Sequence, residues 1–302
     1  MKHAALLLAA LLGLSNSLLQ RSTGPRLAGC PVFPASNAWN QRVDSLPVAA
    51  DSDAIIRSIG RDTGVHADFG SGLWNGAPIG IPFDVVTRQT PRSRVAFQYA
   101  DESDRVGYPI PKRVHIEGGG DHHALLVDRS ACRLYELGGL ERRAGRWHAW
   151  AGATWSLRSN KLRPAGWTSA DAAGLAILPR LARYDEVKRG MMNHALRFTA
   201  ARTRRAYVWP ARHYASSFTD PSLPPMGLRV RLKASFDTSA FPPPARVVLE
   251  TLKRYGMILA DNGPNWHITG APNAQWSNDQ LHTLGRVHGS DLEVVDPAAI
   301  HP

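Results

Sequence analysis

His194, Arg197, Tyr207, Trp209, Arg212, His213 and Tyr214 fall within 21 residues of one another. A segment built only to fold carries apolar residues at alternate strand positions and polar ones in its turns. This one threads imidazoles, guanidiniums and phenols through strand-like runs. A Tyr/His pair can move protons, Arg can grip a carboxylate with two parallel hydrogen bonds, and Trp can stack on a sugar ring. Alternation in NHALRFT places His194, Leu196 and Phe198 on one face and Arg197 on the other. His194 is therefore either an acid–base group at a cleft edge or a hydrogen-bonded core histidine. Pro210 ends the next strand, so Arg212, His213 and Tyr214 fall in a loop, where binding groups are commonly carried.

Downstream, LRVRLKAS alternates cleanly, with Leu228, Val230 and Leu232 facing a core. Arg229, Arg231 and Lys233 then project from the other face, roughly 6–7 Å apart, a ladder that an anionic ligand would neutralise. From Arg180 to Arg254 there are fifteen Lys or Arg against five Asp or Glu, nearly the whole of the formal net charge of +11. Such an excess is a solvated basic face or a site for an acidic partner. Carboxylates offer a second chemistry. Glycoside hydrolysis needs two across a cleft, and Asp128 with Glu136 are the candidates, with Asp185 or Glu186 behind them. Asp121, His122 and His123 adjoin one another, but neighbours in an extended segment point in opposite directions and make a poor chelate. With HExxH and G-x-S-x-G both missing, neither a metal site, a cofactor nor a serine nucleophile is expected.

These residues need elements to position them. His123–Asp128 and Cys132–Leu137 read as a hairpin across Arg129-Ser130-Ala131. Pairing Asp128 with Cys132 would put Asp128 and Glu136 on one face. Further strands are expected at 81–86, 94–99, 147–157, 194–199, 206–209, 228–234, 257–260 and 266–269, with an Asp261-Asn262-Gly263 turn joining the last two. PPPARVVLETLKRYG reads as the one strong helix, with prolines at its start and Gly256 at its end. A shorter helix is expected over 54–59 and a helical turn from Ser169 to Gly174. Many short strands with dense Gly and Pro predict a mainly β fold, a β-sandwich or jelly roll with one or two short helices.

Residues 1–20 combine a basic start with a short apolar run and read as a secretory signal peptide. Residues 21–302 then form a single β-rich domain. No later run approaches the roughly 18 apolar residues of a membrane span. Cys30 and Cys132 are the only cysteines. An oxidising destination and an even count favour a disulfide between them over a lipidated Cys30. Hydrophobic residues at 43% and nine tryptophans exclude a disordered chain.

Through RPAGWTSADAAGL, RYDEV, HALRFT, YVWPARH and MGLRVRLKAS the chain resembles a group of exported bacterial proteins of unassigned function. The resemblance implies a secreted, single-domain protein and no residue roles. Together these readings predict a secreted (extracellular or periplasmic) protein that binds an extracellular, anionic polysaccharide and cleaves it by lyase chemistry. His194, Tyr207 and His213 would handle the proton. Arg197, Arg212, Trp209, Tyr214, Trp167 and the Arg229/Arg231/Lys233 ladder would hold the chain. Export argues against nucleic acid as a partner. The alternatives are a glycoside hydrolase using Asp128 and Glu136, or a non-catalytic carbohydrate-binding or surface-structural protein.

Overall fold

The computed structural model describes residues 24–300; the expected signal peptide lies outside them. Strands dominate, in short pieces. In chain order those of three residues or more are β1 (His66–Asp68), β2 (Phe83–Val86), β3 (Val95–Phe97), β4 (Ala124–Asp128), β5 (Arg133–Gly138), β6 (Glu141–Arg143), β7 (Arg146–Ala149) and β8 (Ala151–Ser156). They continue with β9 (Leu196–Ala200), β10 (Arg229–Leu232), β11 (Met257–Asn262), β12 (His267–Thr269) and β13 (Leu292–Val294). Four α-helices accompany them rather than one or two: α1 (Ser52–Ile59), α2 (Tyr184–Lys188), α3 (Pro243–Arg254) and α4 (Asn278–His282). The fold is mainly β and a single domain.

Three sheets matter. A six-stranded sheet runs β13-β10-β11-β9-β12-β1, a four-stranded sheet β8-β5-β4-β2, and a three-stranded sheet β6-β7-β3. The pairs β9/β11, β12/β1, β2/β4 and β7/β3 are parallel, so the sheets are mixed where a jelly roll is antiparallel. β4 is buried at every position because both its faces are covered. Leu125 and Val127 join the main core with Phe198, Ile258 and Ile268 of the large sheet. Ala124 and Leu126 join a second core with Tyr108, Tyr135 and Leu137. α3 forms as its spacing predicts, from Pro243 and Pro244 at the first turn to Gly256 just beyond it at φ 64°. It buries Val248, Leu249 and Leu252.

Three expectations fail locally. The β4–β5 hairpin pairs Asp128 with Arg133 and Leu125 with Glu136, one residue out of the expected register. The turn includes Cys132, held at φ 47°, and the Asp128 carboxylate caps it by accepting from the Ser130 and Ala131 amides at 2.9 and 3.2 Å. A slip of one residue exchanges the faces, so Asp128 and Glu136 lie on opposite sides of the sheet. Residues 206–209 form no strand; Tyr207 makes an isolated bridge to Met226. The segment from Ser169 forms turns, with the Ser169 hydroxyl donating to Asp171 O and Leu175 O and taking up carbonyls a helix would use.

Candidate functional site

One face of the large sheet is polar across four strands. On β9, Leu196 and Phe198 enter the core while Arg197 and Thr199 point away. A bulge in the pairing with β11 sets Phe198 opposite Leu259 but Thr199 opposite Asp261. The extra residue, Ala260, swings Asp261 onto the polar face; regular alternation would have turned it to the core. On β12, Ile268 faces Phe198 across the sheet, which leaves His267 and Thr269 on the polar side, and His66 and Asp68 of β1 stand beside them in register.

Beside this face lies a cleft of about 410 Å³ lined by Asp121, His123, Asp261, His213, Tyr99 and Trp150, among others. Behind Asp261 runs a buried ion-pair chain. Arg197 holds Asp171 at 3.0 Å, Asp261 at 3.4 Å and the Thr269 hydroxyl at 2.8 Å. Asp171 is completely buried and also takes Arg180. Burial opposes its charge, but the two guanidiniums win and hold its carboxyl below the usual range.

Asp261 behaves oppositely. Its side chain keeps 25% of its surface open, yet dense surroundings and the charge of Asp171 push its pKa up to about 6, against the pull of Arg197. His123 is buried, its Nε2 2.8 Å from Ala170 O and its Nδ1 against the Glu117 carboxylate. Both neighbours are acceptors, so both ring nitrogens must donate. Burial alone would favour the neutral ring; Glu117 overrides it and raises the imidazole to about 9. His213 donates from Nδ1 to Ala172 O at 2.8 Å, which leaves Nε2 of the neutral ring as the lone-pair nitrogen. Two exposed aromatics, Tyr99 and Trp150, complete the rim.

The residues expected from the sequence are dispersed. Of the five acid–base candidates, only His213 lines the cleft. His194 is fully buried, bound to Glu186 at 3.0 Å and Ala195 O at 2.9 Å. Tyr207 and Trp209 are half-buried against the core. Asp128 caps its turn. Glu136, on the opposite face, accepts the Ile177 and Leu178 amides at 2.8 Å each, with burial raising it to about 7 despite them. Arg197 is buried behind the cleft wall and is consumed by its two carboxylates. Arg212 donates to Arg163 O at 2.9 Å. Tyr214 stacks on His213 with ring centroids 5.6 Å apart. Trp167 lies over the Arg163 guanidinium beside a separate shallow pocket, although its neighbours Thr168 and Ser169 reach the cleft.

The cationic ladder is not a ligand face. Arg229 and Arg231 are buried. Arg229 donates to Tyr255 O and Ala38 O, Arg231 to Glu293 and to Val43 O and Leu46 O, and Lys233 to Ser290 O at 2.8 Å. They staple the chain over 38–46 and the neighbouring strands to the sheet.

Sequence reasoning missed Asp261, His123, Glu117, Asp121, Tyr99 and Trp150. The usable signal was the i, i+2 spacing of Asp121 and His123, which line one cleft; only the adjacent residues of that triplet diverge. A second cavity, of about 610 Å³, shares Asp121 and contains His66 and Asp68. Among the described residues, these two with His267 form a group whose donor atoms could hold a metal. In comparisons with protein families, curated proteins and solved structures, the chain has no significant match.

Proposed function

We propose that this is an exported, saccharide-active protein whose cleft hydrolyses a glycosidic bond, with Asp261 as the proton donor. The observation that carries this reading is the raised, partly open Asp261 carboxyl in one cleft with a second carboxylate, Asp121, and two exposed aromatic rings. A carboxylic acid that holds its proton up to about pH 6 can protonate a leaving glycosidic oxygen, while a second carboxylate assists water or attacks the sugar. Trp150 and Tyr99 supply ring faces for a pyranose. Export is supported by the Cys30–Cys132 disulfide, with Cα atoms 5.4 Å apart, and no helix of the described residues is long and apolar enough to cross a membrane.

The lyase reading, with a uronate substrate, is weaker. It needs a free cation to neutralise the sugar carboxylate, and Arg197 is engaged by Asp171 and Asp261 while His123 is engaged by Glu117. With Glu102, Asp121 and Asp261 on its walls, the cleft favours a neutral polymer. The test is a panel of neutral and acidic polysaccharides, read for new reducing ends and for ultraviolet-absorbing unsaturated products. Reducing ends alone, lost in Asp261→Asn with binding retained, are expected. Unsaturated products would restore the lyase. Binding without turnover, weakened by Trp150→Ala, would make this a carbohydrate-binding protein.

A further inference from the structure

His66, Asp68 and His267 offer two imidazoles and one carboxylate whose donor atoms all lie within 4.8 Å of one another. Ligands around a tetrahedral zinc lie roughly 3.3 Å apart, a closure that small side-chain rotations supply at this open position. Their placement is built into the backbone. β1 and β12 pair in parallel with His66 beside His267, and Asp68, two residues along β1, projects to the same side. The two imidazole rings stand 4.3 Å apart. Among the described residues, none of the three side chains has a hydrogen-bond or ion-pair partner, in a face where Arg197, Thr199, Thr269 and Asp171 are all engaged.

We propose that these three residues bind one divalent transition-metal ion of zinc-like chemistry. Two ring nitrogens with a single carboxylate suit a borderline ion such as Zn²⁺ or Co²⁺, whereas Ca²⁺ and Mg²⁺ require mostly oxygen donors. Three protein ligands leave a coordination position free, and it opens into the cavity bounded by Glu117, Asp121, Asn278 and His282. The two acids add negative potential beside the cation. A metal here contradicts the expectation from sequence that none is bound, because its ligands are brought together by strand pairing across some two hundred residues. The site does not depend on what the adjoining cleft cleaves.

The experiment uses the full chain stripped with a chelator and titrated with Co²⁺, followed by the visible d–d bands, and with Zn²⁺ by calorimetry. One ion per chain is expected. His66→Ala and His267→Ala should each weaken binding at least about 100-fold, and Asp68→Asn should weaken it less, since an amide oxygen can still coordinate. Zn²⁺ should raise the melting temperature of the wild type but not of the His66→Ala/His267→Ala double variant. Circular dichroism checks that these surface variants are folded. Failure to take up stoichiometric Co²⁺, or uptake unchanged in the double variant, overturns the proposal, the latter by assigning the ion to other histidines.

Discussion

Asp261 and His123 both titrate above their ordinary values, for opposite reasons: burial and the charge of Asp171 favour the neutral carboxyl, whereas Glu117 favours the charged imidazole. The folded value of Asp261, about 6, lies above the 3.8 of a free carboxyl, so folding favours its protonated form. The stability it contributes is complete below about pH 4 and falls as the pH rises through 6. Asp261→Asn should therefore match the wild type near pH 4 and exceed it at pH 7.5 by on the order of 1–3 kcal/mol in urea melts, while turnover falls by about 100-fold or more. A general acid must be protonated to act, so wild-type turnover should decline as the pH passes 6. His123 is raised above the ordinary 6.5 to about 9, so its ion pair with Glu117 stabilises fully below 6.5 and is lost as the pH climbs through 9. Glu117→Gln should flatten stability between pH 6.5 and 9, and the C2-proton shift of the His123 ring should report the lowered titration.

At the scale of elements, charged side chains act as staples. Glu136 ties β5 to the start of the 177–180 turn through two amides. Glu136→Ala leaves those donors buried and unpaired, and is expected to cost about 2–4 kcal/mol. Glu136→Gln retains an acceptor oxygen, should cost less and should leave turnover unchanged, which separates a structural carboxylate from a catalytic one. The Arg229 and Arg231 guanidiniums do the same for the segment over 38–46. Replacing both with Gln should lower the unfolding midpoint and expose that segment to hydrogen exchange, whereas binding to acidic polymers should not change. An outward ladder would give the reverse: intact stability and lost, salt-dependent binding.

For the whole molecule, a third of the cations in the basic stretch belong to the interior. Arg180, Arg183, Arg197, Arg229 and Arg231, five of the fifteen cations between Arg180 and Arg254, are buried. They are held by carboxylates or backbone carbonyls, so the formal charge overstates the basic surface. The disulfide spans 102 residues and pins Cys30 to the β4–β5 turn. Replacing both cysteines with serine should lower stability by about 4–5 kcal/mol if the unfolded chain gains the corresponding freedom, measurable as a fall in the urea midpoint with a steeper slope, because the uncrosslinked chain exposes more surface. Intact mass should show neither a free thiol nor a lipid on Cys30.

Local pattern was enough for much of this chain. Proline start, apolar spacing and terminal glycine specify α3, because helix periodicity and capping involve only near neighbours. The β4–β5 hairpin, the mainly β class and the cysteine pairing were likewise legible, from alternation, turn residues and an even cysteine count. Register was not. One extra turn residue at Cys132 and one bulged residue at Ala260 each reversed which face a carboxylate occupies, turning Asp128 and Glu136 apart and bringing Asp261 into the cleft. Whether Arg197, Arg229 and His194 meet solvent or protein is also decided by segments distant in sequence, such as 38–46 and 168–175, that fold over them. Side-chain type is written in the chain. Which side chains converge depends on strand pairing and coverage between distant residues, and those are settled only when the sheets close.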